Sequence, residues 1–258
     1  MLGVPATTPY DWNFSLFGFP IRVAPWFWLA ALFFGQNAVK HPSVDGGPVG
    51  PKGLVAFALA MFLSIIIHEL GHAFAHRFYG FGSSIVLYHF GGLAMRSGSR
   101  WDSARNRDNP WDQVAISAAG PALQVTVAVA LAIVLRSFGI KATSEYLEMI
   151  GIRGGTILRN DLAFYFLYHF YWVSIVWAFF NLLPVYPLDG GQICRNLFLL
   201  FGGSNGINYS LMLSVATGGL LAVYGYQRGQ IYLALMFASL AYSSYQALQA
   251  YGNGPRQW

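Results

Sequence analysis

The stretch SIIIHELGHAFAH, residues 64–76, decides the fold because it places ionisable side chains inside a run of sequence that otherwise reads as a membrane helix. His68, Glu69, His72 and His76 all fall within this stretch. An ionisable side chain at bilayer depth is costly and marks a functional site by default. The stretch therefore predicts a membrane-spanning helix that carries a polar site.

The composition indicates an integral membrane protein. Of the 258 residues, 55% are hydrophobic, 17% are aromatic and only 10% are charged, whereas an ordinary soluble domain carries about 25% charged residues. Eight tryptophans suit the aromatic belts at membrane interfaces. The net charge of +5 comes from scattered basic residues rather than a dense basic cluster, so no nucleic-acid partner is expected.

Cysteine content and the N-terminal sequence narrow the class of protein further. Cys194 is the only cysteine, which excludes disulfide frameworks and cysteine-rich zinc sites within one chain. The opening MLGVPATTPYDWNF lacks the pattern of a cleavable signal peptide. Insertion through the first membrane helix is therefore expected.

Apolar runs predict about six transmembrane helices, because a span needs about 20 predominantly apolar residues. Four runs are long, at residues 54–78, 114–135, 162–183 and 231–248, and two are shorter, at 23–39 and 210–224. Residues 1–258 are thus expected to form one integral-membrane domain with its core at 54–191. The predicted fold class is an all-α polytopic membrane protein.

Two connections between these runs have structure of their own. Residues 80–97, GFGSSIVLYHFGGLAMRS, alternate and contain several glycines, which favours a strand pair. Non-helical backbone at membrane depth requires cover from protein or a water-filled cavity, so a small re-entrant β element is expected. The loop at 137–161 is expected to hold a short amphipathic helix around residues 145–150.

Basic residues give an orientation. The connection at 77–112 contains five arginines, Arg77, Arg96, Arg100, Arg105 and Arg107. Positive charge favours the cytosolic side of a membrane, so this connection and both termini are predicted to be cytosolic. A site in the second half of the 54–78 helix would then open toward the cytosol.

The HELGH motif has the spacing of a zinc site. His68 and His72 are one helical turn apart on one face, so both imidazoles can reach one metal ion. Glu69 follows the first histidine and can accept a proton from water and return it to a leaving amine. The alternative is a pair of helix histidines satisfied by ordinary neighbours. Burial in a membrane span favours zinc, one ion per chain, over that alternative.

A catalytic zinc needs a third protein ligand, and the sequence offers two candidates. Asp189 lies in NLLPVYPLDGG, residues 181–191, where two prolines interrupt the helix and two glycines allow close backbone approach. Asp189 could instead cap the helix that follows. His76 is the rival ligand, but it lies about 12 Å from His68 along a helix that rises about 1.5 Å per residue. His76 is therefore predicted to support the site or an interface rather than to join His68 and His72.

These motifs together resemble the site-2 protease family of intramembrane zinc metalloproteases. The resemblance rests on HELGH at 68–72 and on NLLPVYPLDGG at 181–191, which matches the family pattern Asn-x-x-Pro-x-x-Pro-x-Asp-Gly. Two further segments are similar to family segments, AAGPALQ at 118–124 and HFGGLAM at 89–95. The similarity covers roughly residues 14–201.

The resemblance implies a role for each matching residue. His68, His72 and Asp189 would be the zinc ligands, and Glu69 would be the general base. Asn181 matches the asparagine of the family motif, which implies substrate binding or polarisation of an oxyanion; an amide bonded to neighbouring backbone is the alternative.

The resemblance also implies a role for one strand. Gly91 and Gly92 match the glycine strand of the family, whose open edge would accept an unwound substrate segment as an added strand. Ordinary turn glycines remain the alternative at both positions.

Two departures from the family pattern stand out. Gln124 occupies the position where the family usually has asparagine after Gly-Pro, which puts the supporting role of that position in doubt. The 97–112 segment is too short for a PDZ domain, and little chain follows the last span, so CBS domains are not expected. The chain is expected to be a minimal form of the protease.

The expected function is zinc-dependent endopeptidase activity within the bilayer, as in regulated intramembrane proteolysis. The substrates would be transmembrane segments of membrane-anchored regulators or remnant signal peptides. A membrane metal-ion transporter and a catalytically inactive membrane scaffold are the alternatives. Neither the substrate nor the oligomeric state follows from the residues.

Overall fold

The computed structural model describes residues 6–43, 46–89, 91–99, 109–141 and 143–252. Arg100, Arg105 and Arg107, three of the five arginines behind the predicted orientation, lie outside these ranges.

Eight α-helices and four strands make up this part of the chain. The helices are α1 (Pro25–Gly35), α2 (Pro51–Phe78), α3 (Pro110–Ser137), α4 (Glu145–Met149), α5 (Asp161–Asn181), α6 (Asp189–Gly202), α7 (Gly206–Gln227) and α8 (Ile231–Gly252). The strands are β1 (Trp12–Leu16), β2 (Phe19–Val23), β3 (Phe81–Tyr88) and β4 (Gly91–Ser99). Short 3-10 helices follow α1 and α6.

Five of these helices are long and apolar enough to cross a membrane, namely α2, α3, α5, α7 and α8. The expected count of about six is not confirmed. The run at 23–39 folds as α1, which has 11 residues, followed by a 3-10 helix of five residues. At about 1.5 Å per residue, α1 is far shorter than the roughly 30 Å of hydrocarbon in a bilayer. Pro121, which interrupts the run at 114–135, lies within a continuous α3.

The strands form one sheet in the order β1-β2-β3-β4. The strand pair expected at 80–97 is present as the antiparallel pair of β3 and β4. The sequence analysis missed β1 and β2, which form a second antiparallel pair around Phe17 and Gly18. Both turn residues have positive φ, 52° and 80°, as a tight two-residue turn requires. Strands β2 and β3 join the two pairs in parallel, with Ile21 opposite Ile85.

The chain divides into two compact parts. The first comprises residues 3–102 and 119–179, and α2 lies at its centre with 67% of its most apolar window buried. Fifteen of its residues are buried, including the histidines and the glutamate of the HELGH motif. One face of the sheet packs on α2, where Ile21, Leu87 and Ile65 share one hydrophobic core.

The second part comprises residues 103–118 and 180–258. Its core lies between α7, α8 and the turn that precedes α6, with Val185, Phe237 and Leu240 buried together. This part therefore supports the NLLPVYPLDGG turn on two apolar helices.

Candidate metal centre

The HELGH motif lies in the second half of α2 and is buried. His68, Glu69 and His72 are 3%, 4% and 8% exposed. The Nε2 atoms of His68 and His72 lie 3.2 Å apart. Two tetrahedral zinc ligands at about 2.05 Å from the ion would be separated by roughly 3.4 Å. The two imidazoles are therefore spaced as two ligands of one zinc ion.

Two glycines bring α3 against the histidines. A Cβ at Gly71 would lie 2.8 Å from Gly120 Cα, and a Cβ at Gly120 would lie 2.5 Å from His72 Cε1. Real Cβ atoms do not approach so closely, so both positions require glycine. Because His72 faces Gly120 while His68 contacts Gln124, α3 runs antiparallel to α2 at this point.

Gln124 holds His68 directly. Its Oε1 lies 2.9 Å from His68 Nδ1, and its side chain is fully buried at 0% exposure. An amide oxygen only accepts, so Nδ1 carries the hydrogen and Nε2 presents a lone pair. A metal-binding histidine usually donates its other ring N–H in this way. Gln124 therefore supports a potential metal ligand. The absence of the family's usual asparagine had put this supporting role in doubt.

Strand β4 begins against Glu69. A Cβ at Gly92 would lie 2.6 Å from the carboxyl carbon of Glu69. Gly91 has φ of 115° and lies against the Trp177 ring, so it too requires glycine. Burial raises the pKa of the Tyr88 phenol at the end of β3, and the negative charge of Glu69 raises this pKa further.

His76 ties α2 to the sheet. Its Nδ1 lies 3.1 Å from Ser83 Oγ, and this hydroxyl also lies 3.3 Å from the carbonyl oxygen of Met95. His76 is 8% exposed. It supports the interface between α2, β3 and β4 and does not belong to the group of potential metal ligands.

Asp189 is the first residue of α6. The preceding Leu188 takes the N-cap position, and no side-chain hydrogen bond caps the helix. The turn before it is tight, because a Cβ at Gly190 would lie 2.5 Å from Leu183 O and one at Gly191 would lie 2.5 Å from Tyr186 N. Asp189 thus lies in the first turn of α6 rather than at its N-cap position.

His68, His72 and Asp189 form a group that could hold a metal ion. Each offers one ligand atom, and these atoms lie within 4.8 Å of one another. No other group of three or more potential ligands among the described residues meets this spacing. Two imidazole nitrogens and one carboxylate oxygen are a donor set that zinc accepts.

Asn181 and three further histidines do not belong to this group of potential ligands. Asn181 is the last residue of α5 and is 9% exposed. His169 in α5 stacks among aromatic rings near His41, and their ring centroids are 5.5 Å apart. His89 lies in the exposed turn between β3 and β4. These last three histidines are outside the group of potential metal ligands.

Sequence reasoning missed two serines beside the site. Ser64 lies one turn before His68 on α2, and a helical spacing of four residues would have indicated it. Ser174 lies on α5, and nothing in its local sequence points to the site. Its Oγ lies 2.9 Å from Ser64 Oγ.

Comparison with known proteins gives a family match. The family model described as peptidase family M50 matches residues 56–217. This range contains all three potential ligands and Glu69.

Curated relatives agree with this match. The protein sll0528 of Synechocystis sp. is 30% identical over 215 residues, which cover 81% of this chain and 50% of the relative. The protein MJ0392 of Methanocaldococcus jannaschii is 27% identical over 183 residues, 70% of this chain and 43% of the relative. Both carry the words zinc metalloprotease in their names. The chain spans half the length or less of these relatives.

One solved structure has a similar fold. The site-2 protease from Methanocaldococcus jannaschii superposes with a TM-score of 0.56 at 20% sequence identity, over 93% of this chain and 95% of that chain. At this identity the likeness concerns the fold.

Proposed function

We propose a function from one premise, which is that this chain belongs to peptidase family M50 and its site-2 protease group. The proposed function is that of a zinc-dependent endopeptidase acting inside the membrane. The observation that carries the proposal is the group of two imidazoles and one carboxylate within 4.8 Å. Glu69, buried and next in sequence to His68, completes the chemistry.

His68, His72 and Asp189 would hold one zinc ion. When bound, zinc acts as a Lewis acid that polarises a carbonyl and acidifies water. The Gln124 contact keeps the Nε2 lone pair of His68 available for the ion. Gly120 leaves room for the His72 ring.

Glu69 would move the proton. Its carboxylate accepts a proton from the attacking water and donates it to the nitrogen of the departing amine. Gly92 excludes side-chain bulk from the carboxylate and keeps β4 close to it. Asn181 would donate its amide N–H to the oxygen of the scissile carbonyl as negative charge develops there.

The proposed substrate is a transmembrane segment of a membrane-anchored protein. The amides of a helix are hidden in its own hydrogen bonds, so the segment must unwind before cleavage. No strand among the described residues pairs with the outer edge of β4. An unwound segment could add to this edge beside Gly91 and Gly92 and thereby approach Glu69.

The site is proposed to open toward the cytosol. It lies in the second half of α2, which ends at Phe78 with Arg77 in its last turn. Arg96 on β4 lies opposite Ser83, which bonds His76 near the end of α2, and adds a second cation there. Basic residues favour the cytosolic side of a membrane.

The test is Glu69→Gln in the full chain, with Glu145→Gln, at an exposed position of α4, as the matched control. Both proteins are reconstituted with a single-span test substrate tagged at both ends, and zinc content is measured in parallel. We expect Glu69→Gln to keep its zinc and to lose at least about 100-fold in cleavage rate, the usual contribution of a general base. Glu145→Gln should match the wild type.

Two outcomes would contradict the proposal. Full cleavage by Glu69→Gln would show that Glu69 is not the general base and that the activity does not arise from this site. The second outcome is that the wild type carries zinc into proteoliposomes but does not cleave the substrate. If Glu69→Gln carries zinc equally well, the protein is a transporter. If Glu69→Gln instead loses cleavage as expected, proteomics of the membrane proteins that accumulate uncut in cells with this variant would identify the substrates.

A further inference from the structure

Four buried side chains from three helices form one hydrogen-bonded chain that ends at the potential metal ligand His68. Ser174 Oγ lies 2.9 Å from Ser64 Oγ, Gln124 Nε2 donates to Ser64 Oγ at 2.8 Å, and Gln124 Oε1 lies 2.9 Å from His68 Nδ1. Ser174, Ser64 and Gln124 are all 0% exposed. Catalysis as described above uses neither serine, although fully buried hydroxyls are costly unless they are hydrogen-bonded.

The direction of the Gln124 amide decides which nitrogen of His68 can bind a metal. In the observed direction the amide oxygen faces His68, so Nδ1 carries the hydrogen and Nε2 has the lone pair. In the flipped direction the NH₂ group would face Nδ1, and the hydrogen would move to Nε2. Nε2 could then no longer bind a cation, although it is the atom that lies 3.2 Å from His72 Nε2.

Ser64 sets the direction of the amide. In the observed arrangement Ser64 accepts a hydrogen bond from Gln124 Nε2, so its own hydrogen can be donated to Ser174. If Ser174 did not accept that hydrogen, Ser64 could donate it to Gln124 instead and stabilise the flipped amide. The identity of residue 174 therefore biases the tautomer of the histidine at the other end of the hydrogen-bonded chain.

We propose that Ser174, Ser64 and Gln124 are positioning residues that hold His68 in the Nδ1-protonated tautomer and so make Nε2 the metal-binding atom. This proposal rests on the function proposed above only in taking His68 as a metal ligand. It assigns a metal-supporting role to Ser174, which is 106 positions from His68 in the sequence. Removal of a side chain that orients a metal-bound histidine typically weakens metal binding by about 10–100-fold.

The first measurement is zinc affinity of the purified full chain, by competition with a chelator. Gln124→Met, which keeps the size but loses both hydrogen bonds, should weaken zinc binding by about 10–100-fold. Gln124→Glu should restore affinity to the wild-type value or above it, because either carboxylate oxygen accepts from Nδ1 and from Ser64. A role in packing alone would not distinguish the two variants in this way.

The second measurement tests Ser174 through its coupling to Gln124. Ser174→Ala should weaken zinc binding several-fold when residue 124 is glutamine. The same change should have no effect in the Gln124→Glu background, because a carboxylate has no flipped state. Ser210→Ala is the matched control, since Ser210 is 2% exposed and bonds the carbonyl of Ile207 in its own helix.

The third measurement reads the tautomer without zinc. Nitrogen NMR of metal-free protein with labelled histidine should show His68 protonated at Nδ1 in the wild type and a substantial Nε2-protonated population in Ser174→Ala. Equal tautomer populations in the two proteins, or equal loss of affinity in Gln124→Met and Gln124→Glu, would overturn the proposal. A wild type that binds no zinc would defeat the proposed function, whereas the tautomer result would still test the hydrogen-bonded chain.

Discussion

Gly92 in β4 lies directly against the carboxyl group of Glu69 in α2, so that a Cβ at residue 92 would be 2.6 Å from the Glu69 carboxyl carbon. Residues 69 and 92 are far apart in the sequence, yet the sheet places the strand backbone on the proposed general base. The same strand carries the edge at which a substrate segment is proposed to add.

Gly92→Ala is therefore expected to displace the Glu69 carboxylate and to leave the zinc ligands in place. A misplacement of about 1 Å can reduce a reaction rate by about 100-fold. We expect a loss of cleavage of that order with unchanged zinc content, measured with the tagged single-span substrate.

The matched control for this change is Gly219→Ala in α7, where an added Cβ has nothing within 4 Å. This control should keep full activity and gain about 0.5–1 kcal/mol in unfolding free energy, because glycine is unfavourable in a helix interior. Normal cleavage by Gly92→Ala would show that contact with β4 is irrelevant to Glu69.

Asp189→Ala tests the third ligand. If Asp189 binds zinc, two histidines remain, and we expect the purified protein to lose most of its bound zinc at micromolar free metal. If Asp189 only stabilises the start of α6, zinc content should stay at one per chain while thermal stability falls. Elemental analysis of metal per chain and a thermal melt of the same sample separate the two roles.

Gly120→Ala should affect both stability and metal binding, since its Cβ would lie 2.5 Å from His72 Cε1. Overpacking of this kind typically reduces the free energy of unfolding by about 1–3 kcal/mol. Displacement of the His72 ring should weaken zinc binding as well.

Gly71→Ala provides the comparison for that variant, because its Cβ would meet the backbone of Ala119 and Gly120 rather than a ligand ring. We expect a similar stability loss but a smaller effect on zinc affinity. Equal zinc affinities in Gly120→Ala and wild type would show that the His72 ring can adjust freely.

The orientation can be tested at the two ends of α2. Helix α2 has 28 residues and extends about 42 Å at about 1.5 Å per residue, which is long enough to cross the bilayer, so we expect its ends on opposite sides. In a Cys194→Ser background, Phe78→Cys should react with a membrane-impermeant maleimide only from the cytosolic side. Lys52→Cys should react only from the other side, and the reverse pattern would place the site opening outside the cytosol.

Much of the site followed from local sequence. The spacing of four residues between His68 and His72 fixes their common helix face wherever α2 packs, and the prolines and glycines before Asp189 predict a broken backbone there. The strand pair at 80–97 followed from alternation and glycine content. By contrast, β1 and β2 carry a Phe-Gly turn signal between short apolar strands, but Pro20 and the brief runs weaken that pattern.

Length and packing explain what the sequence left open. The run at 23–39 is apolar enough to suggest a span, but α1 ends at Gly35, against the Phe57 ring, and the chain continues as a 3-10 helix. Gln124 departed from the family pattern, yet the side chain reaches His68 because Gly71 and Gly120 let α3 approach α2 closely. The hydrogen-bond partner of Gln124 cannot be inferred from the sequence, because it depends on the distance between α3 and α2.

By itself, the order of residues determined a membrane-embedded helix with two imidazoles on one face, a carboxylate beside them and a second acidic residue after a proline-broken turn. Those features depend on backbone geometry within a few residues, which repeats every helical turn. Only the tertiary structure decided that Gly92 covers Glu69 and that Ser174 reaches His68 through Ser64 and Gln124. Such contacts depend on how close and in what register separate helices and strands pack, and packing distance leaves no periodic trace in a sequence.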